Sequence, residues 1–309
     1  MNHPLVSVAI PAYKANYLSE SLLSVISQTC EDWELIIVDD CSPYNIKDIV
    51  AKHDDSRIHY YRNEKNFGAK DPANNWNKCL EYAKGEYFCL LCDDDIYEPT
   101  FLEEMLKLAA TYSKCNVFRS RVKIIDGADQ VIGFYPSSPA WESCEDYMWH
   151  VGHFKRKQTI SEWMFRTDHI KKCGGYVNFP YAWGADYASI YRFSLEGGIV
   201  STTQLLVAYR KNNQAISSNI DKNGEEKLCA NYLCKQMIMS IIKDNQFSSH
   251  LVELMSKRKI KDDRSIISRM RFVDVVKVFI KRKDYDICFS QIMSALLWGI
   301  SLKVLHHSG

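Results

Sequence analysis

Hydrophobic and polar positions alternate along the first hundred residues at two distinct periods. Val6 to Ile10 is a short apolar, β-branched run that ends at Pro11, and it predicts a strand. Leu18, Leu22, Val25 and Ile26 then recur at helical spacing. Leu35, Ile36, Ile37 and Val38 form a continuous apolar strand of the kind buried on both faces. A helix over Ile46 to Lys52 and a strand over Ile58 to Tyr61 follow. Asn75 to Lys84 predicts a helix, with Gly85 as its C-cap. Tyr87 to Leu91 is a fourth strand, and Pro99 opens a helix that runs to about Tyr112. This order predicts an α/β fold built from βαβ units around a mostly parallel sheet.

The pattern loosens from about 115 to 210, where Gly pairs stand at 174–175 and 197–198 among many aromatics. From about Glu225 it becomes helical and rich in Lys and Arg. The Asn- and Ser-rich stretch Asn212 to Asn223 is the best linker candidate. Within the C-terminal region Arg269, Arg271, Lys277, Lys281, Arg282 and Lys283 flank Phe272, Val275, Val276, Val278 and Phe279. Such a basic amphipathic helix suits an anionic membrane surface, or packing on the rest of the chain or in a dimer contact.

Composition narrows the class. Of 309 residues, 46% are hydrophobic and 25% charged, which is globular and not disordered. Lys plus Arg number 39 against 38 Asp plus Glu, so no basic excess points to nucleic acid. The 11 cysteines are odd in number and scattered through apolar segments, as reduced thiols in a cytoplasmic protein would be. Cys89 and Cys92 have CxxC spacing but lie in a strand and have no second pair, so they read as buried structural thiols. The N-terminus shows no signal-peptide pattern, and the longest charge-free run, Ile287 to Leu302, has 16 residues, short for a membrane span.

Ligands of open α/β sheets bind beyond the carboxyl ends of the strands. Those ends carry Pro11, Ala12 and Tyr13, then Asp39, Asp40, Cys41 and Ser42, then Asn66, Phe67 and Gly68, then Asp93, Asp94 and Asp95. Three adjacent carboxylates repel one another unless a cation neutralises them. Oxygen donors of this kind suit Mg²⁺ or Mn²⁺. A solvated turn with an Asp cap ahead of Pro99 is the plainer reading, and the position directly after a buried strand favours the metal. Asp39 and Asp40 suit either a helix cap with Ser42 or acceptance of a pyrimidine imino N–H. Neither GxGxxG nor GxxxxGK[ST] occurs, so a nucleotide bound here needs a metal to hold its diphosphate.

Taken in order, Val6–Tyr13, Ser24–Thr29, Trp33–Ser42, Asn66–Gly68, Ala83–Tyr87 and Asp93–Asp95 resemble the family 2 inverting glycosyltransferases of GT-A fold over roughly residues 4 to 115. A weaker match reaches about residue 210. The resemblance implies a Rossmann-like catalytic domain over 1–212 with a C-terminal helical extension over 213–309. Residues 1–115 would be the nucleotide-binding half and 116–212 the acceptor-binding half. It implies a UDP- or dTDP-linked sugar donor, Mn²⁺ or Mg²⁺, inversion, and a glycan or lipid-linked acceptor in cell-surface polysaccharide synthesis. By position, Pro11, Ala12 and Tyr13 would line the base pocket, Asp40 would meet uracil or thymine, Asp93 the ribose and Asp94 the metal. Asp95 would share either task, and Asn66, Gly68 and Asn77 belong to the same donor site. Two positions depart from the family pattern. Cys92 stands where many members have the first Asp of Asp-any-Asp, and Trp76 precedes Asn77 where many have Arg, which leaves Lys70 to face phosphate. Arg210, in Tyr209-Arg210, would contact the diphosphate, but Asn212-Asn213 lacks the His that often follows.

An inverting transfer needs a base for the acceptor hydroxyl. In Trp183-Gly184-Ala185-Asp186-Tyr187 the resemblance points to Asp186, which also suits an N-cap for a helix over Tyr187 to Leu195. Glu162 and Asp168 are weaker candidates. Two other readings compete. A nucleotidyltransferase would carry a Gly-, Arg- or Lys-rich loop where Pro11-Ala12-Tyr13 stands, and a non-catalytic nucleotide- or glycan-binding module would have no use for Asp40, the three aspartates and Asp186 together.

Overall fold

A computed structural model describes residues 3–211, 223–270, 272–281, 285, 287–288 and 290–296. Residues 212–222 of the linker candidate Asn212 to Asn223, Arg271, Arg282, Lys283 and much of the charge-free run after Ile287 lie outside the described residues. Strands β1 (Val6–Ala12), β2 (Trp33–Asp39), β3 (Ile58–Arg62) and β4 (Tyr87–Leu90) alternate with α1 (Leu18–Ile26), α2 (Ile46–Val50) and α3 (Pro72–Tyr82). These elements fall where the apolar spacing predicts, give or take a few terminal residues. After β4 come β5 (Ile96–Tyr97), α4 (Phe101–Thr111), β6 (Val117–Ile125), β7 (Val131–Phe134) and β8 (Trp141–Glu142). Next are α5 (Cys144–Gly152), β9 (Trp163–Arg166), α6 (Thr167–Lys172), α7 (Ala185–Phe193) and β10 (Ile199–Arg210). Helices α8 (Gly224–Asp244), α9 (Ser249–Ile267) and α10 (Phe272–Ile280) follow.

The sheet runs β3-β2-β1-β4-β9-β6-β10-β5, with β7 beside β6 and β8 beside β10. β1 to β4 are parallel, whereas β9 pairs antiparallel with both β4 and β6. The period of two along each central strand feeds two opposite cores. Ala9, Ile36, Val38, Phe88 and Leu90 face one core with α3, α5, α7, α8 and α9. Val8, Ile10, Leu35, Ile37, Cys89 and Leu91 face the other with α1, α2 and α4. The helices α8 and α9 therefore belong to the first core through Cys234, Ile238, Leu251 and Met255 and are not a detached tail. Cys89 is fully buried as expected, whereas Cys92 is only half-buried; both are free thiols, like the other cysteines of the chain.

A third, smaller core joins α10 to α8 and α9 through Val275, Val278, Leu228, Ile266 and Ile267. The outward face of α10 shows Val276 and Ile280, the latter 73% exposed. Its basic character is partly neutralised, because Lys277 pairs with Asp274 at 3.4 Å and Lys281 with Glu225 at 2.6 Å. Among the described residues no helix is long and apolar enough to cross a membrane.

Gly85 differs from its expected role. Helix α3 ends in extended backbone at Ala83, and Gly85 lacks the positive φ of a left-handed cap. It is needed because the chain passes against β1. A Cβ there would lie 2.5 Å from the Ser7 backbone nitrogen and 2.8 Å from the Val6 carbonyl carbon. The Gly85 N–H donates to Ser7 Oγ at 2.8 Å, and that hydroxyl donates to the buried Glu34 at 2.6 Å. Backbone neighbours cannot swing aside as a flexible side chain can. Gly85→Ala should therefore destabilise the protein by about 1–3 kcal/mol, read as a lowered urea midpoint at unchanged slope.

Candidate active site

The carboxyl ends of β1, β2 and β4 open into a cleft of about 910 Å³. Pro11, Tyr13, Asp40, Gly68, Asp93, Asp94, Asp95, Asp186 and Arg210 all line it. Ala12, Asn66, Lys70 and Asn77 do not. Ala12 is fully buried in the core beneath. Asn77 is turned away, bonding the backbone of Tyr176 at both its N–H (2.8 Å) and its carbonyl (2.9 Å). Trp76, its neighbour, faces the cleft instead.

Asp40 leaves the end of β2 and organises the loop above it. It accepts from Asn63 Nδ2 at 2.9 Å, Phe67 N at 3.0 Å and Gly68 N at 3.2 Å. Asn66 reaches the same point from behind, its amide donating to the Asp40 carbonyl at 2.5 Å. Gly68, at φ +70°, supplies the left-handed turn that lets these N–H groups converge. Asp39 plays the structural part of the pair and accepts from Ser42 N at 2.7 Å and Tyr60 Oη at 2.6 Å.

The three consecutive aspartates divide their work. Asp93 Oδ2 accepts from Tyr13 N at 2.9 Å and Lys14 N at 2.7 Å, which fixes the loop leaving β1. Burial, and then the charge of Asp94, push its carboxyl up to about 6. Asp95 is fully buried. It accepts from Ser161 Oγ at 2.5 Å and from Arg210 N at 2.9 Å. Burial first and Asp94 second push it up to about 8. Asp94 turns to the cleft and meets Lys14 Nζ at 3.1 Å. Lys14 is a site residue absent from the expectations above, although a cation directly after Pro11–Tyr13 is a natural counter-charge for the acidic turn.

One ligand atom each from Cys92, Asp94 and Asp95 lies within 4.8 Å of the others. Burial drives the Cys92 thiol far above its ordinary range, and a hard divalent cation prefers oxygen donors to a soft sulfur. What remains is one or two carboxylates at the edge of an open cleft. That donor set fits a hard divalent cation that completes its shell with water and phosphate.

Arg210 is 1% exposed, and its guanidinium serves the protein. It donates to the Asp94 carbonyl at 3.0 Å and to Glu20 at 2.6 Å, and it stacks 4.0 Å over the Tyr17 ring. The arrangement braces the acidic turn, and protein groups already take up the guanidinium that the resemblance assigns to a diphosphate.

Asp186 sits in the first turn of α7, so it is inside the helix, and Gly184 at φ +77° takes the N-cap position instead. The Asp186 carboxylate accepts from Gln158 Nε2 at 3.2 Å, and burial raises its pKa. Glu162 does not line the cleft. It is fully buried against Arg119 at 2.7 Å, and burial pushes it up to about 7. Asp168 is exposed in α6, away from the cleft. Beyond Asp186 the wall comes from α8 and α9 through Lys227, Ile238, Met255, Arg258, Lys259 and Asp262, and nothing in the sequence pattern announces it.

The profile of the family described as "Glycosyl transferase family 2" matches residues 7–167, more than half of the chain. The chain belongs to that family. Among relatives, it is 42% identical over 107 residues to the putative teichuronic acid biosynthesis glycosyltransferase TuaG of Bacillus subtilis, a match covering 34% of this chain and 41% of TuaG. It is 38% identical over 109 residues to the Escherichia coli UDP-Glc:alpha-D-GlcNAc-diphosphoundecaprenol beta-1,3-glucosyltransferase WfgD, covering 35% of this chain and 42% of WfgD. The chain thus spans about two-fifths of the length of these curated relatives. The fold is that of S. aureus TarS residues 1–349, solved with UDP-GlcNAc, at a TM-score of 0.69 and 17% identity over 96% of this chain and 80% of that one. The GT-A architecture, with its mostly parallel sheet and helical C-terminal region, is therefore the one the sequence leads to. The family match ends at 167, so Asp186 and the α8–α9 wall stand beyond it.

The raised Asp95 carboxyl has a thermodynamic signature. A carboxyl whose folded pKa exceeds its ordinary value of 3.8 favours the fold when protonated, and that contribution is lost as pH rises from about 3.8 toward about 8. In EDTA, the urea midpoint of the native chain should fall relative to that of Asp95→Asn between pH 5 and pH 8. A difference that does not change with pH would show that Asp95 stays ionised throughout.

Proposed function

We propose that this chain is a metal-dependent inverting glycosyltransferase that moves a sugar from a nucleotide-sugar donor, UDP- or dTDP-linked, to a hydroxyl of a glycan or lipid-linked acceptor. The observation that carries the reading is that Asp40, Asp94 and Asp186, far apart in sequence, line a single cleft. Family membership supports it, as do the activities for which TuaG and WfgD are named and the UDP-GlcNAc bound by TarS.

In this reading Pro11, Tyr13 and Asp40 enclose the nucleobase. Asp40 already directs its oxygens at N–H donors, and an imino N–H of uracil or thymine is one more of the same kind. Asp93 holds the β1 loop that forms the floor of that pocket. Asp94, with Asp95 behind it, would hold Mn²⁺ or Mg²⁺. Such an ion, when bound, offsets the negative charge that develops on a departing diphosphate. Lys14 balances Asp94 and keeps the acidic turn folded. Asp186 accepts the proton of the acceptor hydroxyl as it attacks the anomeric carbon from the face opposite the diphosphate, a role worth about 10²–10⁴-fold. Its raised pKa makes it a better proton acceptor than an exposed aspartate. A lipid-linked acceptor would place the work at the cytoplasmic face of a membrane, where α10, with Val276 and Ile280 outward, suits peripheral contact.

Two substitutions separate donor from base. Asp186→Asn should abolish transfer while nucleotide binding in the presence of Mn²⁺, followed by calorimetry, stays within about twofold; equal loss of both would remove Asp186 from the base role. Asp94→Ala should cut Mn²⁺-dependent UDP affinity at least about tenfold, because the ion that would meet the phosphates loses a carboxylate ligand. UDP affinity in Asp94→Ala that equals the native chain's, with and without Mn²⁺, would refute the metal assignment.

A further inference from the structure

Behind Asp186 stands a chain of hydrogen bonds that the reaction so far leaves unused. Tyr147, on α5, is fully buried, its ring edge-on to Trp163 (centroids 6.1 Å apart) and to Tyr191 (5.9 Å). The Arg119 guanidinium lies 5.6 Å from the same ring, so the phenol has no room to turn out. Its hydroxyl donates to Gln158 Oε1, and Gln158 Nε2 donates to Asp186 Oδ2 at 3.2 Å. Gln158 is itself only 8% exposed, and it lines the cleft beside Asp186.

Donor and acceptor chemistry allows this chain to run in one direction only. An ionised carboxylate has no proton to give, so the amide must turn its NH₂ toward Asp186. The amide oxygen then faces Tyr147, which must donate. Burial holds the Tyr147 hydroxyl protonated, far above its ordinary range. The phenol thereby fixes the amide, and the amide fixes one carboxylate oxygen.

We infer that Tyr147 and Gln158 are positioning residues that tie Asp186 Oδ2 back into the protein, so that Oδ1 is the oxygen presented to the acceptor hydroxyl. This rests on the reading of Asp186 as the base. Preorganising a base in this way removes the reorientation that would otherwise accompany proton transfer. Among the described residues Glu162, Tyr187, Cys234, Lys259 and Tyr147 couple to the charge of Asp186, and the backbone N–H groups of Tyr187 and of Asp186 itself also help to hold its pKa down. Among the described residues Gln158 is the one that gives its carboxylate a side-chain hydrogen bond.

A hydrogen bond to the charged form holds a carboxyl pKa down. The test is therefore the titration of Asp186 itself, in full-length chain labelled with [4-¹³C]aspartate, its resonance identified as the one missing in Asp186→Asn. Gln158→Leu should raise the midpoint by about one pH unit, a tenfold change in proton affinity. Tyr147→Phe keeps the ring packing and should raise it by a smaller amount, because Gln158 remains but is free to rotate. In transfer assays the acidic limb of the kcat profile should move to higher pH by the same steps, with KM for the donor unchanged. Asp186 titrating at the native pH in both variants would overturn the inference and leave the pair a packing feature, and Tyr147→Phe decides the matter even if Gln158→Leu does not fold. Failure of the base reading is separate, since it shows as transfer surviving in Asp186→Asn whatever the titration gives.

Discussion

The architecture turns on a carboxylate that has no access to water. Asp95 is fully buried, and a buried carboxyl is tolerated only where its oxygens are met. Ser161 and the Arg210 N–H meet them, and in doing so bring together the turn after β4, the segment entering β9 and the end of β10. Asp93 adds the fourth element by holding the loop that leaves β1. The acidic turn is thus a junction of strand ends, and of the three aspartates along the cleft Asp94 is the one that meets Lys14 Nζ.

Much of this is legible in the sequence, for a definite reason. Strands buried on both faces must be continuously apolar, and Leu35–Val38 and Tyr87–Leu91 say so plainly. Polar residues at strand ends then have one place to go in a parallel sheet, the carboxyl rim, and Asp40 and Asp94 are found there. Asp186 is reached through resemblance to a family motif and not through spacing, because its position depends on how α7 packs. Residues that act on other residues are invisible. Gln158 carries no pattern, Lys14 reads as an ordinary surface lysine, and Asn66 and Asn77 look alike although one supports Asp40 and the other faces away. Gly85 resembles a helix cap because glycine signals the need for room without saying on which side.

The two halves of the cleft are joined by one short segment. Residues 158–162 carry Gln158, which touches Asp186, and Ser161, which touches Asp95. In the same segment Thr159 and Glu162 form a reciprocal cap that stiffens the turn. Glu162, a candidate base from sequence, is instead the buried partner of Arg119, which also donates to Ser138 Oγ at 2.9 Å. Asp95 and Asp186 are thereby both held to one piece of backbone, whose rigidity sets their separation.

The far wall built by α8 and α9 divides the lining of the cleft between two parts of the chain. The acidic turn itself lies inside the span matched by the family, whereas Arg210, which meets Asp95, and the helices that close the cleft lie outside it. Changing the side chains of those two helices would therefore reshape the far wall without touching the hydrogen bonds that hold Asp93 and Asp95 in the acidic turn.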